Sequence, residues 1–278
     1  MPAEMIDGKR LSEKILEEVG EAVGKMGEKP CLGVILVGDD PASKTYVSRK
    51  EEACKKTGVS SVMKRLGEDV TEDGLLSQIR EFAKDDKVHA ILVQLPLPGH
   101  INEKKVIDSI PPEKDADGFA PSNVGNMLIG DYKILPATAK GIVRMLDELG
   151  VPLEGAEAVV VGASNIAGKP AAVLLQQRGC TVTICDIHTK NLAKNTKKAD
   201  VLVCAVGKAG LITKDMVKEG AVVIDVGITK DNKKLLGDVS PDVSEVAGYL
   251  TPVPGGVGPM TVAMLLENTV ECMRLQQR

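Results

Sequence analysis

Tryptophan is absent from this 278-residue chain, and only three tyrosines and two phenylalanines occur. That scarcity argues against a protein that grips single-stranded nucleic acid by stacking bases on aromatic rings. It also means an aliphatic core of Val, Leu, Ile, Ala and Met. Histidine is equally scarce, with three scattered residues that form no metal-ligand pattern. The six cysteines include no C-x-x-C pair, and several lie inside apolar runs. They read as reduced, mostly buried thiols. No apolar run approaches membrane-spanning length, and the start, MPAEMIDGKR, carries no apolar signal region. The net charge of −4 supplies no basic field for nucleic acid or an anionic membrane. The expectation is a cytoplasmic protein with no nucleic-acid and no membrane partner.

What the chain does have is alternation. Helical periodicity around 9–25 precedes the apolar run CLGVILV (31–37). A helix starting near Asp40 follows, then SSVMKRL, a helix over 72–84, and AILVQLP. Residues 96–136 are rich in Pro, Gly, Asn and Asp and read as dominated by loops. A helix over 138–149 leads into a second series, AEAVVVG, TVTICD, DVLVCAV and AVVIDVG. Repeated strand and helix signals predict an α/β protein with mostly parallel sheets. The predicted division is a first domain over 1–137 and a second over 138–259. The helical pattern of 260–278 is expected to return to the first.

Two stretches carry candidate chemistry. VVVGASNIAGKP reads as strand, glycine turn, helix, with Gly162 for the tight turn and Gly168 for close helix packing. Amides at such a helix start can face a pyrophosphate. The spacing is G-x-S-x-x-x-G rather than G-x-G-x-x-G, so a plain structural turn fits it as well. Asp186 ends the next strand, 18 residues beyond Gly168. A carboxylate there suits the ribose hydroxyls of a dinucleotide and repels an added 2′-phosphate, although strand-end Asp residues are common. In the other stretch, DPASKTYVSRK, Asp40 and Pro41 make an N-cap and a first helical residue. Tyr46 and Lys50 then share one helix face. A ring beside an amine suits an unsaturated substrate, but the pair also fits an ordinary amphipathic surface.

The motifs together are more specific. With ASKTYVSRK (42–50), VQLPLPGH (93–100), PEKDADGF (112–119), VVGASNIAGKP (160–170), AVGKAG (205–210), VIDVGI (223–228) and TPVPGGVGPMT (251–261), the chain resembles the methylenetetrahydrofolate dehydrogenase/cyclohydrolase family. The resemblance implies two α/β domains flanking a cleft: an N-terminal catalytic domain and a C-terminal Rossmann-like domain. It implies a homodimer that uses NADP or NAD and no metal. The implied reactions are oxidation of 5,10-methylenetetrahydrofolate and hydrolysis of the methenyl product to 10-formyltetrahydrofolate. A dehydrogenase lacking the second activity is the alternative.

By the same resemblance, Lys50 is the central group of the cyclohydrolase step, with Tyr46 stacked on the folate and Gln94 bonded to Lys50. Asp117 would accept from the pterin N–H groups. Val93, Leu95 and the segment Pro254, Gly255, Gly256, Val257 and Gly258 would border the folate. Gly162, Ala163, Ser164, Gly168, Asp186, Ile187, Gly207 and Ile228 would line the cofactor. Chemistry leaves two roles for Lys50: a base with a pKa lowered by burial, or a cation that stabilises developing negative charge.

Departures from the family pattern are informative. Ala163 stands where relatives usually carry an arginine for the 2′-phosphate. Asp186 stands where NADP users often have a basic residue or histidine, and Ile187 follows where a polar one is usual. These changes lean the expectation towards NAD, with His188 and Lys190 as alternative phosphate partners. PATAKG (136–141) lacks the usual Cys and second Pro, and NVGNML lacks an arginine after Gly125. A local change is expected at that crossover.

Overall fold

Strands and helices alternate through the computed structural model, which describes residues 2–231 and 234–277. The first half runs β1 (Glu4–Met5), α1 (Gly8–Gly24), β2 (Cys31–Val37), α2 (Pro41–Thr57), β3 (Ser60–Leu66), α3 (Glu72–Lys84), β4 (Ala90–Val93), α4 (Glu103–Asp108), α5 (Pro121–Ile129) and α6 (Ala137–Leu149). The second half runs β5 (Glu157–Val161), α7 (Gly168–Gln177), β6 (Thr181–Cys185), α8 (Leu192–Thr196), β7 (Val201–Cys204), β8 (Val222–Asp225), β9 (Thr229–Asp231), β10 (Lys234–Leu236), β11 (Tyr249–Leu250) and α9 (Val257–Gln276).

The stretch 96–136 is less loop-dominated than its composition implied, because it contains α4 and α5. Its turn-forming residues mark helix ends. Asn102 caps α4 by accepting from the Lys105 amide, Pro121 opens α5, and Gly130 ends α5 at a φ of 79°.

Two compact units divide the chain: Met1–Ser12 with Thr138–Thr261, and Glu13–Ala137 with Val262–Arg278. The predicted division changes at the N-terminus, because Met1–Ser12 belongs with the later residues. Strand pairing explains this: β1 joins β11 in parallel register, Glu4 opposite Tyr249 and Met5 opposite Leu250. Met1 and Arg278, the ends of the predicted spans, lie outside the described residues.

In the unit built on Glu13–Ala137, three parallel strands take the order β3-β2-β4. All seven residues of β2 are buried, as expected for a central strand covered on both faces. Ile35, Leu75, Ile79, Phe82 and Ile91 pack together in the core beneath it. From Val262 onward α9 belongs to this unit. The buried Asn268 donates to Ala116 O at 2.9 Å and Leu135 O at 2.8 Å. Gln276 donates to His89 O at 2.7 Å.

The other unit carries a six-stranded parallel sheet in the order β1-β11-β8-β7-β5-β6. From β5 the chain crosses through α7 to β6 on one side, then passes through α8 to β7 on the other. The order therefore reverses beside β5, where open parallel sheets bind ligands at the strands' carboxyl ends. In the smaller sheet β2 occupies the equivalent position, between β3 and β4. All six cysteines are buried, and among the described residues none is in a disulfide. Burial pushes the Cys54 thiol up to about 12, which makes it a poor nucleophile. Among the described residues, no helix is long and apolar enough to cross a membrane.

Candidate functional site

The α2 start follows the sequence pattern. The Asp40 carboxylate accepts from the Ser43 amide at 2.7 Å, and Pro41 sits in the first turn. Helical spacing then gives the helix a buried stripe containing Ser43, Val47, Lys50, Cys54 and Thr57. Lys50 thus lies in an apolar row, with only 7% of its surface exposed. Lysine is seldom buried without a partner. The partner here is Gln94, immediately after β4, whose Oε1 accepts from Lys50 Nζ at 3.0 Å. Gln94 Nε2 donates to Leu95 O at 2.6 Å, so the carbonyl end of the amide faces the lysine. The Gln94 amide donates to Ile35 O at 2.9 Å, which continues the sheet ladder one residue past β4.

Burial pushes the Lys50 ammonium below its ordinary pKa, and the charge of Asp117 partly opposes that shift. Asp117 is pushed up to about 6 by burial; Lys50 counteracts the rise and Asp115 adds to it. Burial therefore disfavours the charged form of both groups, while their mutual attraction favours it. Tyr46 is half-buried one turn before Lys50, and burial raises its phenol pKa, keeping the hydroxyl protonated.

Asp115 escaped the sequence analysis. It is 2% exposed and bridges to Ile91 beside β4. Its carboxylate accepts from the Gly118 amide at 3.0 Å, the Ala120 amide at 2.6 Å and Asn123 Nδ2 at 3.0 Å. These bonds close the turn that presents Asp117. The available signal was an Asp-x-Asp-Gly run in which one acid serves the backbone and the other remains for chemistry. Val93 is buried, packs in the core with Ile35 and Ile91, and also borders a small cavity with Leu95 and Asp117. Leu95 remains half-buried.

In the other unit, register aligns four strand ends. Val161 is opposite Cys185 and Cys204, and Cys204 is opposite Asp225. Asp186, Gly162, Ala205 and Val226 therefore leave the sheet side by side. At Gly162 the φ is 114°, and a Cβ would lie 2.2 Å from Ala205 O. A Cβ on Gly168 would lie 1.8 Å from Gly162 O. Only glycines allow these three backbone segments to touch, so the cradle is made of main chain. Ser164 Oγ accepts from the Ala167 amide at 3.3 Å and the Gly168 amide at 3.4 Å, shaping the entry to α7.

Ala163 is half-buried, and Ser164 is exposed. Asp186 is exposed; its Oδ1 accepts from the His188 amide at 2.9 Å and Thr189 Oγ1 at 3.4 Å. Ile187 is 94% exposed and Ile228 is 41% exposed. Gly207 is exposed in the segment after β7. A bare main-chain cradle at the order reversal, with a carboxylate at the neighbouring strand end, fits a dinucleotide.

The Pro254–Gly258 segment is partly helical rather than a continuous loop. Val257 begins α9 and is 4% exposed, so its side chain is buried. Gly255 O accepts from the Lys9 amide at 2.9 Å, tying this segment to the start of α1. Thus Tyr46, Lys50, Gln94, Leu95 and Asp117 gather in one unit. Gly162, Ala163, Ser164, Gly168, Asp186, Ile187, Gly207 and Ile228 line the strand ends of the other, to which Pro254–Gly258 also belongs.

Comparison with known proteins gives concordant findings. Residues 6–117 match the family model "Tetrahydrofolate dehydrogenase/cyclohydrolase, catalytic domain". Residues 136–277 match "Tetrahydrofolate dehydrogenase/cyclohydrolase, NAD(P)-binding domain". The chain is 53% identical to the Bifunctional protein FolD of Moorella thermoacetica, covering 99% of this chain and 100% of that protein. The crystal structure of the bifunctional FolD dehydrogenase/cyclohydrolase from Campylobacter jejuni is similar at a TM-score of 0.94 and 47% identity, covering 99% of both chains. A Trypanosoma brucei FolD complexed with NADP and inhibitor has a TM-score of 0.96 and 38% identity, covering 100% of this chain and 99% of that one.

Proposed function

Because the chain belongs to the tetrahydrofolate dehydrogenase/cyclohydrolase family and carries both of its activities, we propose that Lys50, Tyr46, Gln94 and Asp117 act at its folate centre. The chain binds a nicotinamide cofactor and oxidises 5,10-methylenetetrahydrofolate to the methenyl compound. It then hydrolyses that compound to 10-formyltetrahydrofolate.

The observation that carries the residue assignment is the 3.0 Å bond from the buried Lys50 Nζ to Gln94 Oε1, under the charge of Asp117. Tyr46 offers a flat face for the folate ring system, and Asp117 accepts from pterin N–H groups. A nicotinamide bound there would supply the hydride acceptor for oxidation of the methylene carbon. For hydrolysis, neutral Lys50 accepts a proton as water oxygen bonds to the methenyl carbon. The protonated amine then supplies a proton to the departing ring nitrogen as its carbon–nitrogen bond breaks. The hydroxyl proton passes to solvent water as the formyl carbonyl forms, so overall the cationic methenyl compound takes up water and releases one proton, and Lys50 returns to its starting state. Burial shifts the Lys50 pKa downward, the direction that a proton-accepting role needs. Gln94 orients the amine through its fixed carbonyl. The intact Lys50, Gln94 and Asp117 set disfavours a dehydrogenase without hydrolysis.

Gly162, Ser164 and Gly168 would hold the pyrophosphate, with Asp186 on the adenosine ribose. Ala163, Asp186 and Ile187 provide neither a cation nor space free of negative charge for a 2′-phosphate. NAD is therefore the preferred cofactor. Family membership also supports a homodimer acting in the cytoplasm. Initial rates with 5,10-methylenetetrahydrofolate test the cofactor choice. The expected kcat/KM favours NAD by about tenfold or more, the factor associated with about 1.4 kcal/mol. A preference for NADP would assign the phosphate site to another group, such as Lys190.

A further inference from the structure

Asp238 has no part in the reactions described above, yet its carboxylate organises a segment at the nucleotide edge. It is 0% exposed. Its Oδ2 accepts from the Val206 amide at 2.6 Å and the Gly207 amide at 3.1 Å, and its Oδ1 accepts from the Lys208 amide at 2.7 Å. Three consecutive amides converge on one carboxylate. Such a concavity is an anion nest, and here the chain's own acid fills it. The turn depends on Gly207, whose φ is 73°.

A second acid anchors the first. Asp225, 3% exposed at the end of β8, accepts from the Asp238 amide at 2.9 Å, the Val239 amide at 3.0 Å and the Gly227 amide at 3.0 Å. The two acids sit reciprocally against glycines. A Cβ on Gly227 would stand 2.1 Å from Asp238 Oδ1, and one on Gly237 would stand 1.9 Å from Asp225 Oδ2. Thr229 Oγ1 adds a bond to Gly207 O at 3.1 Å. The Ile212 amide donates to Asp238 O at 3.0 Å, extending the attachment beyond the nest.

We propose that Asp238 is a positioning residue of the dinucleotide site, holding Val206–Lys208 in its cofactor-receiving shape before the cofactor arrives. Asp225 holds Asp238 in turn. The inference rests on the reading that this segment, adjoining Gly162 through Ala205, borders the dinucleotide. Its value would come from preorganisation, since a loop already in its bound shape loses less freedom on binding. The nest also restricts what the segment can recognise. Its amides are committed to Asp238 and cannot grip a phosphate. The segment instead offers the apolar surface of Val206, 46% exposed, to an uncharged part of the ligand.

The test uses full-length Asp238→Asn and Thr229→Val. Steady-state kinetics are measured for dinucleotide reduction and, with no dinucleotide present, for methenyl hydrolysis. Loss of the charge-assisted bonds in Asp238→Asn is expected to raise the dinucleotide KM about tenfold. Its kcat should stay within about threefold and its hydrolysis kcat/KM within about twofold, because the change is confined to cofactor binding. Removing the single neutral bond in Thr229→Val should raise the same KM about threefold. Amide hydrogen exchange at Val206, Gly207 and Lys208 should accelerate in cofactor-free Asp238→Asn. An unchanged KM, or equal loss of both activities in a folded variant, overturns the proposal. If Asp238→Asn does not fold, Thr229→Val decides, and an unchanged KM there also overturns it. A wild-type chain that reduces neither dinucleotide refutes the underlying site reading before any variant is compared, and this proposal falls with it.

Discussion

Lys50→Met is expected to lower the cyclohydrolase kcat/KM by about 10³-fold, within the range of a lost general acid–base group. Methionine resembles the lysine stem in length and is apolar, so it can occupy the buried row between Val47 and Cys54. The substitution removes the proton-carrying Nζ and the donor to Gln94 Oε1. The nucleotide cradle lies in the other unit, so dinucleotide binding should persist. Steady-state hydrolysis of the methenyl substrate and a separate dinucleotide titration check both expectations. Full hydrolytic activity in Lys50→Met would remove Lys50 from the mechanism.

The variant also has a pH signature. Asp117 is already pushed up to about 6, and the Lys50 charge is what holds it down. Removing that charge raises Asp117 further. A carboxyl with a raised folded-state pKa binds its proton more tightly in the folded protein than in the unfolded chain. Its contribution to stability is fully present below the ordinary carboxylate pKa and is lost as pH rises towards the folded-state value. In wild type the Asp117 window therefore runs from the ordinary value of 3.8 to about 6. In Lys50→Met the upper edge moves to higher pH. Denaturant unfolding across this range reads the displacement, with Lys50→Met/Asp117→Asn as the control that abolishes it.

The double variant Ala163→Arg/Asp186→Ser is expected to shift the kcat/KM ratio towards NADP by about 10²-fold or more, as a new charge-assisted phosphate contact and relief of repulsion combine. Arginine at 163 can approach a 2′-phosphate with two parallel donors. Serine at 186 removes the repelling carboxylate but retains an oxygen that can accept from the His188 amide. The Asp186 turn currently uses Oδ1 for that bond. Dinucleotide binding should therefore survive while its selectivity reverses. An unchanged ratio would place the selectivity determinant outside this strand edge.

The parts legible in the sequence were those whose causes are local. CLGVILV announces a central strand because both faces of β2 are covered, leaving no polar alternation. Asp40 and Pro41 announce α2, and its spacing places Lys50 in the buried stripe. The strand, turn and helix around Gly162 and Gly168 are equally local. The parts missed depend on distant partners. β1 has two residues and no readable period; pairing with β11 defines it. Turn-rich composition concealed α4 and α5, whose ends it supplies. Asp238 organises amides some thirty residues earlier in the chain, a relation that no short motif contains.

The most direct test of the coupled chemistry follows 5,10-methylenetetrahydrofolate with NAD, monitoring reduced cofactor, methenyl compound and 10-formyl product together. The 10-formyl product is expected to keep pace with reduced cofactor while the methenyl compound remains transient. Stoichiometric accumulation of the methenyl compound, or no cofactor reduction with either NAD or NADP, would contradict it.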